Sequence, residues 1–327
     1  MRRSNLLLVC AIIVTVALAA CERSTTVSTE LVDRLAQADD LFKDRKYEEA
    51  GDLYEAIAGD ADAAGDVSAY VEACAMRARS YLIREEGATG RPWLEKAAAR
   101  ADEREPLGWS RYLGVRGRFE WKGGDNETAT LTFREMFDHC ERSELWDRAV
   151  DAAHMVALTG DPDEKLEWAT KGIAMAEKGE MTGWLGPLWN NLGWDYVDAG
   201  RYDDARDALV KAREYHYMGE NELPKLIADY SVAHATRLTG ALDEAESGMR
   251  AVFDWAERLH GEGHADAVEW MGFSRWDLGE ITVTRGDEAA GLAMMEEALG
   301  EFESAGMPKW DAVGWKEKQD RVAELKG

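Results

Sequence analysis

Small residues recur along this chain at nearly constant intervals. Ala38, Ala78, Gly117, Ala153, Gly193, Ala233 and Gly279 are separated by 40, 39, 36, 40, 40 and 46 residues, and a turn follows each about seven residues later. A period of this length marks a supersecondary unit that cannot bury its apolar face alone and must stack on copies of itself. The clearest copy runs Trp189, Leu192-Gly193, Tyr196, Gly200, Tyr202, Ala205, Leu209, Ala212. Its spacing predicts a helical hairpin in which Gly193 lets the first helix approach the second at Ala205. Trp189, Tyr196 and Leu209 fill the space around that contact, and Gly200 breaks the chain between the helices. The first copy continues Leu41, Tyr47, Ala50, Tyr54, and the third Gly124, Ala129, Phe133. The sixth has Gly240, Leu242, Ala245, Met249, the seventh has Gly286, Gly291, Met295, Ala298, and the second and fourth are degenerate. With 6 prolines and no convincing alternation of period two, no strand-rich domain is expected.

This spacing resembles the tetratricopeptide repeat (TPR), lacking only its terminal proline. The periods exceed that repeat's usual length of about 34 residues, as in the kinesin light chain subgroup. The segment Leu259-His260-Gly261-Glu262-Gly263-His264-Ala265-Asp266 resembles that subgroup's inter-repeat loop, with His260 inserted and Ala265 in place of a proline. The resemblance implies an all-α fold: a right-handed superhelical solenoid of about seven TPR-like hairpins over residues 31–307. The pattern Trp310, Val313-Gly314-Trp315, Val322, Leu325 suggests a C-terminal capping helix within 308–327.

At the other end, Arg2 and Arg3 precede an apolar run from Leu6 to Ala20 that is short for a membrane span. Leu18-Ala19-Ala20-Cys21 resembles the bacterial lipobox, which implies a signal peptide over 1–20, a lipidated Cys21 as first mature residue, and a Ser/Thr-rich tether over 21–30. An ordinary signal peptide or an uncleaved anchor is the alternative. Glu22 stands where aspartate would signal inner-membrane retention, so the expected location is the outer membrane, facing the periplasm.

Removing residues 1–20 takes away two arginines and no acids, so the formal charge moves from -25 to -27. Such a surface repels nucleic acid and anionic lipid headgroups, and leaves the lipid as the only membrane contact. Cys74 and Cys140 remain as thiols. They are expected to be small buried residues, with a mutual disulfide as the alternative. His260, Glu262 and His264 look like metal ligands, but Gly261 and Gly263 argue against a helix that would align both imidazoles, and the loop resemblance explains His264. No metal and no cofactor is expected. Phosphate-cradling loops, nucleophile elbows and metalloprotease helices are missing from the sequence, so nothing points to an enzyme.

In peptide-binding TPR proteins the residue just after the small one faces the groove. Here that series is Asp39, Arg79, Arg118, His154, Trp194, His234, Glu280. Arg79, Arg118, His154, Trp194 and His234 are therefore the candidate ligand-binding residues. They imply a protein or peptide partner with an acidic segment or a free carboxylate, which guanidinium forks match in geometry. The alternative is that they pair with neighbouring acids. The chaperone-binding subgroup's clamp needs Lys three residues before the small one. Leu35, Ala75, Gly114, Val150, Asn190, Tyr230 and Trp276 stand there, so that partner is not implied. Trp184, assigned to the preceding loop, and Trp194 allow glycan stacking as a second reading, whereas Trp189 is core. The expected function is an adaptor in envelope assembly or secretion. Gly193→Leu should destabilise it, and Arg118→Glu should leave stability nearly unchanged.

Overall fold

The structure, a computed structural model, describes residues 29–327. The signal segment, Cys21 and the tether up to residue 28 lie outside the described residues. The first helix starts at 29, two residues ahead of the expected boundary. Among the described residues there is no strand, and no helix is long and apolar enough to cross a membrane.

The helices pair as hairpins: α1 (29–43) with α2 (Tyr47–Ala64), α3 (Val67–Ile83) with α4 (Gly87–Ala98), and α5 (Pro106–Lys122) with α6 (Asn126–Arg142). They continue as α7 (Trp146–Thr159) with α8 (Pro162–Lys178), α9 (Thr182–Asp198) with α10 (Tyr202–Tyr217), α11 (Glu222–Leu238) with α12 (Leu242–Gly261), and α13 (Ala267–Thr284) with α14 (Glu288–Ser304). A single turn, α15 (Met307–Trp310), and α16 (Ala312–Lys326) close the chain. Two compact units divide at Trp168 and Ala169, within α8. In the first, α3 packs on α5 and α5 on α7; in the second, α11 packs on α13 and α14 on α16.

Each hairpin follows one local rule. The seventh residue after the small one is left-handed in six of the seven: Arg45, Glu85, Gly124, Gly200, Gly240 and Gly286 all have φ between 60° and 95°. That residue stops the first helix and reverses the chain within a three-residue turn. The fourth hairpin departs from the rule. Gly160 has φ -76° and ψ 173°, the turn is one residue shorter, and α8 begins on Pro162. Arg45 and Glu85 hold this conformation against the clash of their own Cβ, which costs on the order of 1 kcal/mol. Arg45 is exposed at φ 63°, so Arg45→Gly is expected to raise stability by about 0.5–1 kcal/mol, read as a higher urea midpoint at unchanged slope.

Twelve residues after the small residue stands a second one: Ala50, Gly90, Ala129, Ala205, Ala245 and Gly291, all buried. A Cβ on Gly193 would meet Leu209 Cγ at 2.5 Å, and one on Gly117 would meet the Phe133 ring at 2.7 Å. In the seventh hairpin both partners are glycine, and a Cβ on Gly291 would stand 2.7 Å from the Gly279 carbonyl oxygen. The second hairpin, degenerate in sequence, keeps the geometry through Gly90, whose Cβ position lies 2.7 Å from the Ala78 carbonyl. The fourth has Lys165 at this position, in keeping with its shorter turn. Tyr54, Phe133, Leu209, Met249 and Met295, four residues further on, are completely buried.

Acidic residues mark helix starts. Asp66, Asp125, Asp287 and Asp311 accept from backbone N–H groups three residues on, at 2.9–3.1 Å. Glu48, Glu49, Asp203, Asp204, Asp243 and Glu244 occupy first turns, where the helix dipole favours negative charge. Part of the chain's acidity thus serves its many helix starts.

Three local expectations are corrected. Trp184 lies in the first turn of α9, because that helix starts at Thr182. α12 runs through His260 to Gly261, so only His264 of the two histidines lies beyond it. The terminal helix starts at Ala312, capped by Asp311; it buries Val322 and leaves Val313 exposed, and Trp310, in the preceding turn, is exposed as well. Cys74 and Cys140 are both buried and free.

Candidate binding faces of the first helices

Most of the residues after the small positions reach other helices of their own unit, chiefly first helices. In the first unit, Asp39 of α1 accepts from Arg111 of α5 at 2.5 Å and from the Tyr54 hydroxyl at 2.5 Å. Burial, reinforced by the Asp39 charge, pushes the Tyr54 phenol well above its ordinary range. Arg118 of α5 donates to Asp151 of α7 at 2.7 Å and to the Gly114 carbonyl at 2.9 Å. Glu72 of α3 pairs with Arg148 of α7 and lies 3.5 Å from Arg111 Nε. Arg79, Arg111, Arg118 and Arg148 converge with Ser110 and Asp151 on a cavity of about 30 Å³.

Arg79 differs from the other three. Its guanidinium lies 5.0 Å from the Phe42 ring centroid and, among the described residues, forms no carboxylate ion pair. Burial first, then the neighbouring Arg118 charge, pull its pKa down to about 9, so it stays charged at neutral pH without a counter-charge of its own. Burial raises the Asp151 carboxyl, but Arg118 and Arg79 outweigh it and hold it below the ordinary value. His154 is half-buried on the same face, and burial pulls its imidazole below the usual histidine range against the opposing Asp151 charge.

In the second unit the centre is Asp277 of α13, whose side chain is 2% exposed. His234 Nδ1 of α11 lies 2.7 Å from one of its oxygens and Arg237 Nε lies 3.1 Å from the other, an ionic approach without the alignment of a directed hydrogen bond. Burial raises the Asp277 carboxyl, and His234 and Arg237 more than reverse it, leaving it below the ordinary value. Trp194 of α9 stacks on His234 at 5.2 Å between ring centroids, and Tyr230 touches His234, Trp270 and Phe273 at 5.3–5.7 Å. From α16, Lys318 Nζ lies 4.4 Å from the Trp276 centroid and 5.0 Å from that of Phe302, and Arg321 pairs with Glu280 at 3.1 Å.

Each unit therefore gathers a part of the expected residues: Arg79, Arg118 and His154 in the first, Trp194 and His234 in the second. One expectation fails. Arg118 is 12% exposed and already holds Asp151, so Arg118→Glu would set two carboxylates face to face in a half-buried site, and it is destabilising rather than neutral. Sequence reading missed Glu72, Arg111, Arg148, Arg237, Asp277 and Lys318. Two of the missed contacts had a signal: Asp151 and Asp277 each stand two residues before a small residue, Ala153 and Gly279, and each faces the base that follows the previous hairpin's small residue.

Solved structures share this architecture. A signal-transduction ATPase with a tetratricopeptide-repeat sensor from Pyrococcus horikoshii matches 88% of this chain with a TM-score of 0.68 at 14% identity. The match covers 44% of that chain, so the present one spans less than half its length. The apo form of RapI gives a TM-score of 0.68 over 89% of this chain and 85% of its own, at 8% identity. A Rap protein complexed with competence and sporulation factor gives 0.50 over 91% of this chain and 99% of its own, at 13% identity. No family model and no curated protein matches the chain. The fold is that of the tetratricopeptide-repeat proteins, with seven hairpins among the described residues.

Proposed function

We propose that this chain is a lipid-anchored adaptor that binds a segment of a protein partner on its first-helix faces. The observation that carries the reading is the row of residues after the small positions. In the first unit it brings together Arg79, Arg118 and His154, and in the second Trp194 and His234, so guanidinium, imidazole and indole groups fill the five middle places of a series whose ends are Asp39 and Glu280. Flat aromatic and forked cationic groups are what partner segments anchor to. A Rap protein of similar fold was solved in complex with competence and sporulation factor, which supports a role in binding a partner. In this reading the protein has no catalytic role. In this reading anchoring rests on Leu18-Ala19-Ala20-Cys21, and Glu22 favours the outer membrane, facing the periplasm.

Two experiments test it. A photoreactive residue at position 154 or 234 should crosslink a defined protein in intact cells, and one at exposed Gly59 should not. Recovery of no protein from either face position defeats the adaptor reading. Metabolic labelling with a palmitate analogue should mark the wild type and not Cys21→Ser, and an unlabelled wild type removes the anchor.

A further inference from the structure

Lys318 of α16 is held by rings and not by an acid. Its Nζ lies 4.4 Å from the Trp276 centroid, 5.0 Å from that of Phe302 and 5.4 Å from that of Phe273, and among the described residues it forms no carboxylate ion pair. Phe273 and Trp276 belong to α13 and Phe302 to α14, and the rings pack on one another at 4.8 and 6.5 Å. The cage is therefore built by the seventh hairpin and is complete without α16. Burial pulls the Lys318 ammonium below the usual lysine range, against the attraction of Asp277, Glu280 and Asp311, and Arg237 adds to the pull. α16 itself is lightly fastened. It buries Val322, leaves Trp315 and Leu325 partly buried, and adds two ion pairs to the hairpin, Arg321 with Glu280 at 3.1 Å and Lys326 with Glu296 at 2.6 Å. The Lys326 pair is half exposed on both sides, and pairs of that kind contribute little. An open cleft of about 390 Å³ lies beside the lysine, with Phe273, Trp276, Glu280, Asp311 and Glu317 among its walls.

We infer that the three rings are a receptor for a primary alkylammonium group, the end of a lysine side chain presented by another protein, and that Lys318 fills it as a built-in competitor. The negative faces of the rings attract a cation, the more so when it is desolvated. A neutral group of the same shape keeps only the apolar contact. An anion meets both the ring faces and the carboxylates of Glu280, Asp311 and Glu317. The cleft has the volume of a small-ligand site, so an ammonium group can enter without opening the α13–α14 hairpin. The selected charge is opposite to the one expected from Arg79 and Arg118 in the first unit. The cage is thus a second specificity, beyond the adaptor reading, and does not depend on what the first-helix faces bind.

The test empties the cage and refills it. Lys318→Ala removes the occupant, and n-butylammonium, which carries the four carbons and the ammonium of a lysine side chain, is titrated into the mature chain at constant ionic strength while the Trp276 indole N–H is followed by NMR. The amine should shift that resonance saturably, n-butanol should not, and tetramethylammonium should bind no more tightly than the primary amine. The wild type, whose own lysine competes from a short tether, should bind about tenfold more weakly or worse. Trp276→Leu should abolish the shift of the neighbouring Trp270 indole in either background. Thermal unfolding checks that each variant folds, and the wild-type titration carries the test if Lys318→Ala does not. No saturable shift in either protein, n-butanol as effective as the amine, tighter binding of tetramethylammonium, or a wild type that binds as tightly as folded Lys318→Ala overturns the inference. Crosslinking at position 154 or 234 decides the adaptor reading separately.

Discussion

Gly291→Leu is expected to lower the stability of the chain by about 3 kcal/mol or more, at or beyond the upper end of overpacking costs. A Cβ at this position would stand 2.5 Å from Val283 Cγ2, 2.7 Å from the Gly279 carbonyl oxygen and 3.0 Å from the Val283 nitrogen. Two of these atoms are backbone, so no rotamer change relieves the clash and α13 must move off α14. Gly279 offers no slack, because its own Cβ position lies 3.0 Å from the Gly291 carbonyl. Gly193→Leu should cost less, since the obstructing atoms there belong to the Leu209 side chain. Gly59→Ala is the control: it lies on the exposed side of α2 with nothing within 4 Å, so removing a mid-helix glycine should raise stability by about 0.5–1 kcal/mol. Urea denaturation followed by circular dichroism measures all three, and a Gly291→Leu midpoint at or above that of the wild type would falsify the close approach.

Asp277→Ala should cost about 3–5 kcal/mol, the range for removing one partner of a buried ion pair. It strands Arg237 and unseats the His234 ring that Trp194 stacks on, so the aromatic contacts at 5.2–5.7 Å should loosen as well. Its pH dependence has a definite sign. The folded Asp277 carboxyl lies below its ordinary value, which is about 3.9 in an unfolded chain. The stabilisation is therefore complete above that value and is lost as the pH falls through it toward the folded value. Stability of wild type relative to Asp277→Asn should be constant near neutral pH and narrow below about pH 4. A gap that stays the same down to the acid limit of folding would show that the carboxylate's charge is not what holds the cluster.

How much of this was legible beforehand differs from residue to residue. Ala38 to Gly279 locate all seven first helices, and in every hairpin but the fourth the left-handed residue falls seven positions later, even where it is Arg45 or Glu85 and no glycine advertises it. The second hairpin is degenerate in sequence, yet Gly90, with no side chain, lets its helices fit at least as closely as the others. Trp184 was misplaced because a helix start without a capping side chain leaves little trace; Met181 gives α9 no side-chain cap. The sequence alone does not show that Arg118 is engaged, because its partner Asp151 is 33 residues away, beyond the reach of any local pattern.

By itself the sequence determined the hairpin: small residues where helices cross, apolar residues four positions on, acids at helix starts, and a turn at a fixed distance, all consequences of helical period and steric volume within about forty residues. Only the tertiary structure decided which charges are spent. Pairing of Arg111 with Asp39, Arg148 with Glu72, and His234 with Asp277 spans 72, 76 and 43 residues. An ion pair depends on the distance between two charges in space, and stacking sets that distance, so Arg79 is identified as the arginine without a carboxylate only once its neighbours have been assigned to others.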